Sequence, residues 1–202
     1  MKLYYAPGAC SLAPHIVLLE AGLPFSTERV DLRAQPHTTE SGVDYKTLNA
    51  KGYVPTLALD NGDVLTEAAV VVQYIADQAP DKGLAPACNT FERYRVQEWL
   101  NFISAELHKG FGPFWKPDTP QEQKDATWAR LSQRFDWLAP QLADKDYLMG
   151  EFSIADAYLF TILRWPDHFK LPLDRWPALQ AYRSRVAARP AVQQALKDEG
   201  IG

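Results

Sequence analysis

Apolar positions recur along this chain in two rhythms, and the change from one to the other falls near residue 80. Before it the apolar runs are short and separated by turn formers. "KLYYAP" at 2–7 reads as an aromatic strand, and "SLAPHIVLLEAG" after it reads as an amphipathic helix closed at Gly22. "FSTERVDL" is a second strand, and residues 33–52 hold turn formers with one weak helical segment. In "YVPTLALDNGDVLTE" two apolar runs flank Asn61-Gly62, a pair suited to a tight hairpin. "TEAAVVVQYIADQAP" follows as a helix that Pro80 terminates. The order βαβ then ββα predicts a mixed sheet with helices packed on it.

From "DKGLAPACNT" onward the strand signals vanish. Residues 81–87 therefore read as a linker between a domain at 1–80 and an all-helical domain at 88–202. Val96, Trp99, Leu100, Ile103 and Leu107 recur at helical spacing and form one apolar stripe. At about 100° per residue, Gln97, Asn101, Ser104 and His108 form a polar stripe beside it. Thr119-Pro120-Gln121-Glu122 reads as a helix start with Thr119 as cap and Pro120 in the first helical position. That helix buries Trp128, Leu131, Phe135, Leu138 and Leu142 and kinks near Pro140. Ser153-Ile154-Ala155-Asp156 is a capping box in its aspartate variant, so Asp156 reads as a folding residue and not a catalytic acid. Two further helices, around "PALQAYRSRVAA" and "PAVQQALKDEG", fill the tail.

Composition narrows the function classes. At 202 residues, with 47% hydrophobic and 23% charged positions, the chain has the balance of an ordered globular protein large enough for an enzyme. A net charge of -4 gives no basic excess to draw it to nucleic acid or to anionic membranes. No apolar run approaches a membrane span, and "MKLYYAPGAC" lacks the long apolar segment of a signal peptide, so the expected compartment is cytoplasmic. The two cysteines, Cys10 and Cys88, are too few for a disulfide framework and match no zinc spacing, so no metal is expected.

The candidate chemistry sits at Cys10. If a strand ends at Tyr5 and a helix starts near Ser11, Cys10 lies where unpaired backbone N–H groups and the helix dipole favour a thiolate. Three residues on stands Ala13, so no second thiol can resolve a mixed disulfide from within. An adduct on Cys10 must be released by a small external thiol. The bland role of a free cysteine is that of a small hydrophobe, and Cys88 in the linker fits it.

The stretches "MKLYYAPGACSLAPHIVL", "GYVPTLALDNGDVLTE", "VVQYIAD", "EWLNFISAELHKGF" and "SIADAYLF" together resemble the bacterial beta-class glutathione S-transferases from end to end. The resemblance implies an α/β N-terminal thioredoxin-like domain, with Val54-Pro55 as a cis turn facing the thiol, plus an all-α C-terminal helical domain. It implies glutathione as substrate, bound with its sulfur beside Cys10 and its cysteinyl backbone paired with Val54. Glu67 would take the γ-glutamyl ammonium, and the N–H of Ala68 its carboxylate. Many relatives carry serine where Ala68 stands, and the missing hydroxyl should weaken binding modestly. In "AQPHTT" at 34–39 relatives often carry a lysine for the glycyl carboxylate; here His37 is the one candidate, and its role is left open.

By the same resemblance, His108 and Lys109 lie near the thiol and favour a thiolate, while Asn101 and Glu106 reach glutathione in the partner subunit of a homodimer. Phe111, Phe114 and Trp165 are expected to wall an apolar electrophile pocket. The function implied is conjugation of glutathione to apolar electrophiles, with thiol-disulfide exchange through Cys10. The alternatives are a monothiol thioltransferase, and a non-catalytic dimerising or protein-binding module on the same fold, against which Cys10 and Glu67 argue because a scaffold needs neither.

Overall fold

The computed structural model describes all 202 residues, and the chain divides into two compact units. The first comprises Met1–Ala85 together with Arg189–Gly202, and the second Pro86–Ala188. The tail thus departs from the domain at 88–202 that the sequence suggests. Its last helix joins the first unit.

The first unit is built on a five-stranded mixed sheet in the order β3-β2-β1-β4-β5. β1 (Lys2–Tyr5) runs parallel to β2 (Ser26–Asp31) and antiparallel to β4 (Thr56–Ala58), which pairs antiparallel with β5 (Val64–Thr66). β3 is a two-residue strand, Thr38–Thr39, inside the segment read as turns and weak helix. Gly62 closes the β4–β5 hairpin at φ 92°, a region glycine enters without a Cβ penalty. α1 (Leu12–Ala21) and α2 (Ala68–Asp77) pack on each other. α2 stops at Asp77, so Pro80 opens a short 3-10 turn, Pro80–Lys82, and does not end the helix directly.

α1 is not amphipathic. Leu12 through Leu18 are all buried, because α8 (Pro190–Asp198) covers the side that the sheet and α2 leave open. A helix buried on every side carries apolar residues all round. Polar bonds pin the tail in place. Arg189 grips Glu20 through Nε at 2.6 Å and Nη2 at 2.9 Å, and the buried carboxylate of Glu199 accepts from the Gly8 N–H at 2.9 Å and meets His15 Nδ1 at 3.0 Å. These partners lie far apart in sequence, which is why helical periodicity alone assigned α8 to the wrong unit.

The second unit is helical. α3 (Phe91–Phe102) continues into a π-helical turn, Ile103–His108, and then a 3-10 stretch, Lys109–Trp115. The expected single helix is therefore wound in three ways, and the 100° spacing assumed for its polar stripe fails beyond Phe102. Gly110 lies so close to α4 that a Cβ there would meet Leu131 Cδ2 at 2.7 Å. α4 (Gln121–Gln141) starts one residue after the position expected, with Pro120 before its first turn and no side-chain cap, so Thr119 does not cap it. Leu131, Phe135 and Leu138 are buried as predicted, while Trp128 is half-buried with its edge against Trp176.

α5 (Ile154–Leu163) is buried along its whole length and opens with the predicted capping box. Asp156 Oδ2 accepts from the N–H and Oγ of Ser153, and Oδ1 accepts from the N–H of Leu148 and from Tyr182 Oη on α7 (Pro177–Ala187). Burial pushes this carboxyl upward, and the four donors oppose that. A short α6, Trp165–His168, follows.

At the sheet surface, Glu28 accepts from Ser41 Oγ at 2.5 Å and from Lys2 Nζ at 3.0 Å, and these bonds hold its carboxyl at about 2 instead of 4.5. A depressed carboxyl stabilises the fold above its unfolded pKa and loses that contribution as pH falls through the folded value. Glu28→Gln should therefore cost roughly 2–3 kcal/mol at pH 7, the difference shrinking from about pH 4.5 and vanishing near pH 2. Denaturant unfolding of both proteins across that range measures it.

Candidate active site

The register of the sheet gathers three chain ends at one edge. Tyr4 pairs with Thr56, and Thr56 pairs with Thr66, so the end of β1, the start of β4 and the end of β5 lie together. Beyond them come the loop to Cys10, the Val54–Pro55 turn and Glu67. The Val54–Pro55 peptide is cis, as the resemblance implies, and so is Gln35–Pro36, on which the sequence reading was silent.

Cys10 immediately precedes Ser11, the residue before α1, and is 8% exposed. Its Sγ donates to the carbonyl oxygen of Val54 at 3.1 Å. A carbonyl can only accept, so this contact belongs to the protonated thiol, whereas the start of α1 favours the thiolate. Ser11 is fully buried and turned backwards: its Oγ donates to the Ala6 carbonyl at 3.2 Å and accepts from the Ala6 N–H at 3.1 Å. The hydroxyl therefore stiffens the loop and is committed away from a sulfur. Tyr5 is half-buried with its ring 6.0 Å from that of His15; burial raises its phenol, which stays protonated at neutral pH.

The loop that presents Val54 is held from below. Tyr45, fully buried, donates its hydroxyl to the Tyr53 carbonyl at 2.9 Å and shares a 2.6 Å bond with Thr56 Oγ1. Asn49 Nδ2 donates to the same Tyr53 carbonyl at 2.7 Å. His37 lies against this loop, with Nδ1 donating to the Gly52 carbonyl at 3.0 Å.

Glu67 stands before the first residue of α2, Ala68, at φ 70°. A residue with a Cβ rarely adopts this conformation, and such positions concentrate where the surrounding structure fixes a ligand-binding backbone. Its carboxylate pairs with Lys51 Nζ at 2.5 Å, both side chains about half exposed. Lys51 was not singled out from the sequence, where a lysine in a polar loop reads as solvated. The carboxylate expected to meet a ligand's ammonium thus already meets an ammonium.

The remaining expected residues belong to the second unit. Asn101 and Lys109 are exposed, and Glu106 is held by Arg134 Nε at 2.6 Å. His108 Nδ1 lies 2.6 Å from Tyr158 Oη, and the imidazole meets the Trp165 ring edge-on at 5.0 Å. Phe111, fully buried, is core; its ring contacts Trp165 at 5.6 Å and the half-buried Phe114 at 6.1 Å. Trp165 is 4% exposed, whereas Trp115, absent from the sequence reading, is 46% exposed and stacks on His168. Trp115 is the large apolar face that this cluster turns to solvent.

A strand, a thiol before a helix and a cis-proline turn opposite it define a thioredoxin-like thiol site. Comparison with known proteins agrees. Residues 8–78 match the glutathione S-transferase N-terminal domain, and residues 102–190 match the C-terminal domain. The chain is 47% identical to the glutathione S-transferase GstA of Escherichia coli O157:H7 over the whole of both chains. It superposes with a TM-score of 0.96 on BphK, a bacterial transferase solved as a ternary complex, at 52% identity over 99% of this chain and all of that one. It superposes at 0.95 on a sphingomonad glutathione S-transferase solved with glutathione, and at 0.96 on a beta-class enzyme from Sphingomonas chungbukensis, both 45% identical over the whole of each chain. The chain belongs to the glutathione S-transferase family, and the beta-class resemblance stands. It is a glutathione transferase, with glutathione as its substrate. No group of three or more His, Cys, Asp and Glu could hold a metal ion, and no helix is long and apolar enough to cross a membrane.

Glu199→Ala should remove the carboxylate that the half-buried Gly8 N–H and the buried His15 ring share, and loosen the loop that carries Cys10. The expected cost is about 2–4 kcal/mol, read as a lowered denaturant midpoint at unchanged slope.

Proposed function

We propose that this transferase directs the thiolate of glutathione at apolar electrophiles and, through Cys10, exchanges glutathione with disulfides. The observation that carries the reading is the contact between Cys10 Sγ and the Val54 carbonyl beside the start of α1. Glutathione's cysteinyl backbone, pairing strand-like with Val54, competes for that carbonyl and leaves the two sulfurs adjacent. Binding thereby removes a contact that favours the protonated thiol.

Glu67 takes the γ-glutamyl ammonium in exchange for Lys51. The exchange costs little, because an exposed ion pair contributes about 0–1 kcal/mol. The N–H of Ala68 at the start of α2 receives the γ-glutamyl carboxylate. His108 and Lys109 favour the thiolate. Asn101 and Glu106 complete the site of the partner subunit in a homodimer, Glu106 with Arg134 beside it. Phe114 and Trp165 wall the electrophile pocket, with the core residue Phe111 packed against both rings. Acceleration comes from a stabilised thiolate and from holding two substrates together. The compartment is the cytoplasm.

Ala13, in the place of a second thiol, favours a second reading in which exchange on glutathione mixed disulfides is the main activity. Cys10→Ala separates the two. Disulfide exchange should fall at least about 100-fold, because no other nucleophilic sulfur is present at the site. Conjugation uses glutathione's own sulfur and should fall less than about tenfold, since the helix start and Lys109 remain. Parallel loss of both activities, with glutathione affinity intact, would refute this division.

Glu67→Gln should raise KM for glutathione about 5- to 20-fold and change kcat little, because the ammonium it binds is remote from the reacting sulfur. Steady-state kinetics with glutathione as the varied substrate provide the check.

A further inference from the structure

The geometry points to Tyr158 as a positioning residue that holds His108 as the neutral Nε2–H tautomer, so that His108 donates a hydrogen bond to sulfur and does not take its proton. The inference rests on the reading that His108 acts on glutathione's sulfur, and it assigns the form in which it acts.

Tyr158 lies on α5, is 1% exposed, and places its hydroxyl 2.6 Å from His108 Nδ1. The helix that carries it is anchored at its start by the Asp156 capping box and against α7 by the bond from Tyr182, so the phenol has little freedom to retreat. His108 closes the π-helical turn, and the edge of Trp165 confines its ring at a centroid distance of 5.0 Å and 79°. The imidazole is thus fixed in position as well as bonded. Turns of this kind are frequent at functional sites.

Two neutral arrangements could give the contact. Either the phenol donates to an unprotonated Nδ1, or Nδ1–H donates to the phenol oxygen. The 2.6 Å separation makes this a short, direct hydrogen bond, and the relative strengths of the two groups decide its direction. The phenol oxygen shares its lone pairs with the ring and is the poorer acceptor, whereas an imidazole nitrogen is a strong one. With Nδ1 accepting, a neutral ring must carry its proton on Nε2. In that tautomer Nε2 is a donor without a charge on the ring. A ring whose Nδ1 is engaged and whose Nε2 is protonated cannot be the base for glutathione's thiol. The thiol proton goes to water, and His108 with the cation of Lys109 stabilises the thiolate left behind.

The test is the tautomer itself, read from two-bond proton–nitrogen correlation spectra of the 15N-labelled protein near neutral pH. The chain has four histidines, and the His108 signals are those lost in His108→Asn. Native protein should show the Nε2–H pattern at His108. Tyr158→Phe should move it toward Nδ1–H or a mixture, and should lower kcat for conjugation about 3- to 10-fold with KM for glutathione within twofold. An Nδ1–H pattern in the native protein overturns the inference without any variant, as does an unchanged spectrum in folded Tyr158→Phe. A native rate of conjugation in His108→Asn would instead overturn the reading of His108 beneath it, and that rate is measured independently of the spectrum.

Discussion

The antiparallel register of β4 against both β1 and β5 is the constraint on which the thiol site depends. Because Thr56 pairs with Tyr4 on one side and Thr66 on the other, three segments distant in sequence end at the same edge of the sheet. One supplies the thiol, one the Val54 carbonyl and one the Glu67–Ala68 helix start. A slip of one residue would turn β4 over, exchanging its core and outer faces and withdrawing Val54 from Cys10. The buried bonds of Tyr45 and Asn49 to the Tyr53 carbonyl and to Thr56 fix that register from the loop side.

Groups proposed to meet glutathione are engaged by the protein's own counterparts. The Val54 carbonyl holds the Cys10 thiol, Lys51 holds Glu67, and Arg134 holds Glu106. Each partner is exchangeable: a thiol is a weak donor, and the two ion pairs are about half exposed, so water screens them. On the proposed reading, such pairing releases the carboxylates at small cost when a zwitterionic tripeptide offers the same charges. On that reading, specificity follows from matching the pattern, since each carboxylate already has a partner that a poorly matched ligand cannot improve upon.

The tail shows how support is separated from chemistry. α8 contributes no expected site residue, yet of the two residues that flank it Glu199 holds Gly8, two positions before Cys10, and Arg189 holds Glu20 at the far end of α1. Both ends of the helix that begins beside the thiol are thus fixed by the last fourteen residues of the chain. Within the second unit the same division recurs: α5 is entirely buried, and its Asp156 serves folding while Tyr158, two residues on, reaches His108.

Much of this was legible in the chain because the signals are local. The Asn61-Gly62 hairpin, the Ser153–Asp156 box, the apolar stripe of α3 and Cys10 before a helix each depend on neighbours within a few residues, where periodicity and capping chemistry act. What failed were assignments that depend on partners far away. Periodicity identified α8 as a helix but not that it covers α1, and it treated the stretch from Val96 to Leu107 as one regular helix, missing the π-helical turn that ends at His108. Lys51, Tyr45, Tyr158 and Trp115 carry no pattern in one dimension; a lysine in a loop and a tyrosine in a buried helix look like many others. The sequence by itself determined the elements, the thiol and the family. The tertiary structure alone decided which carbonyl meets that thiol, which cation meets Glu67 and which hydroxyl meets His108, because each is a contact of about 3 Å or less between residues 16 to 50 positions apart, created only when the sheet register and helix packing are set.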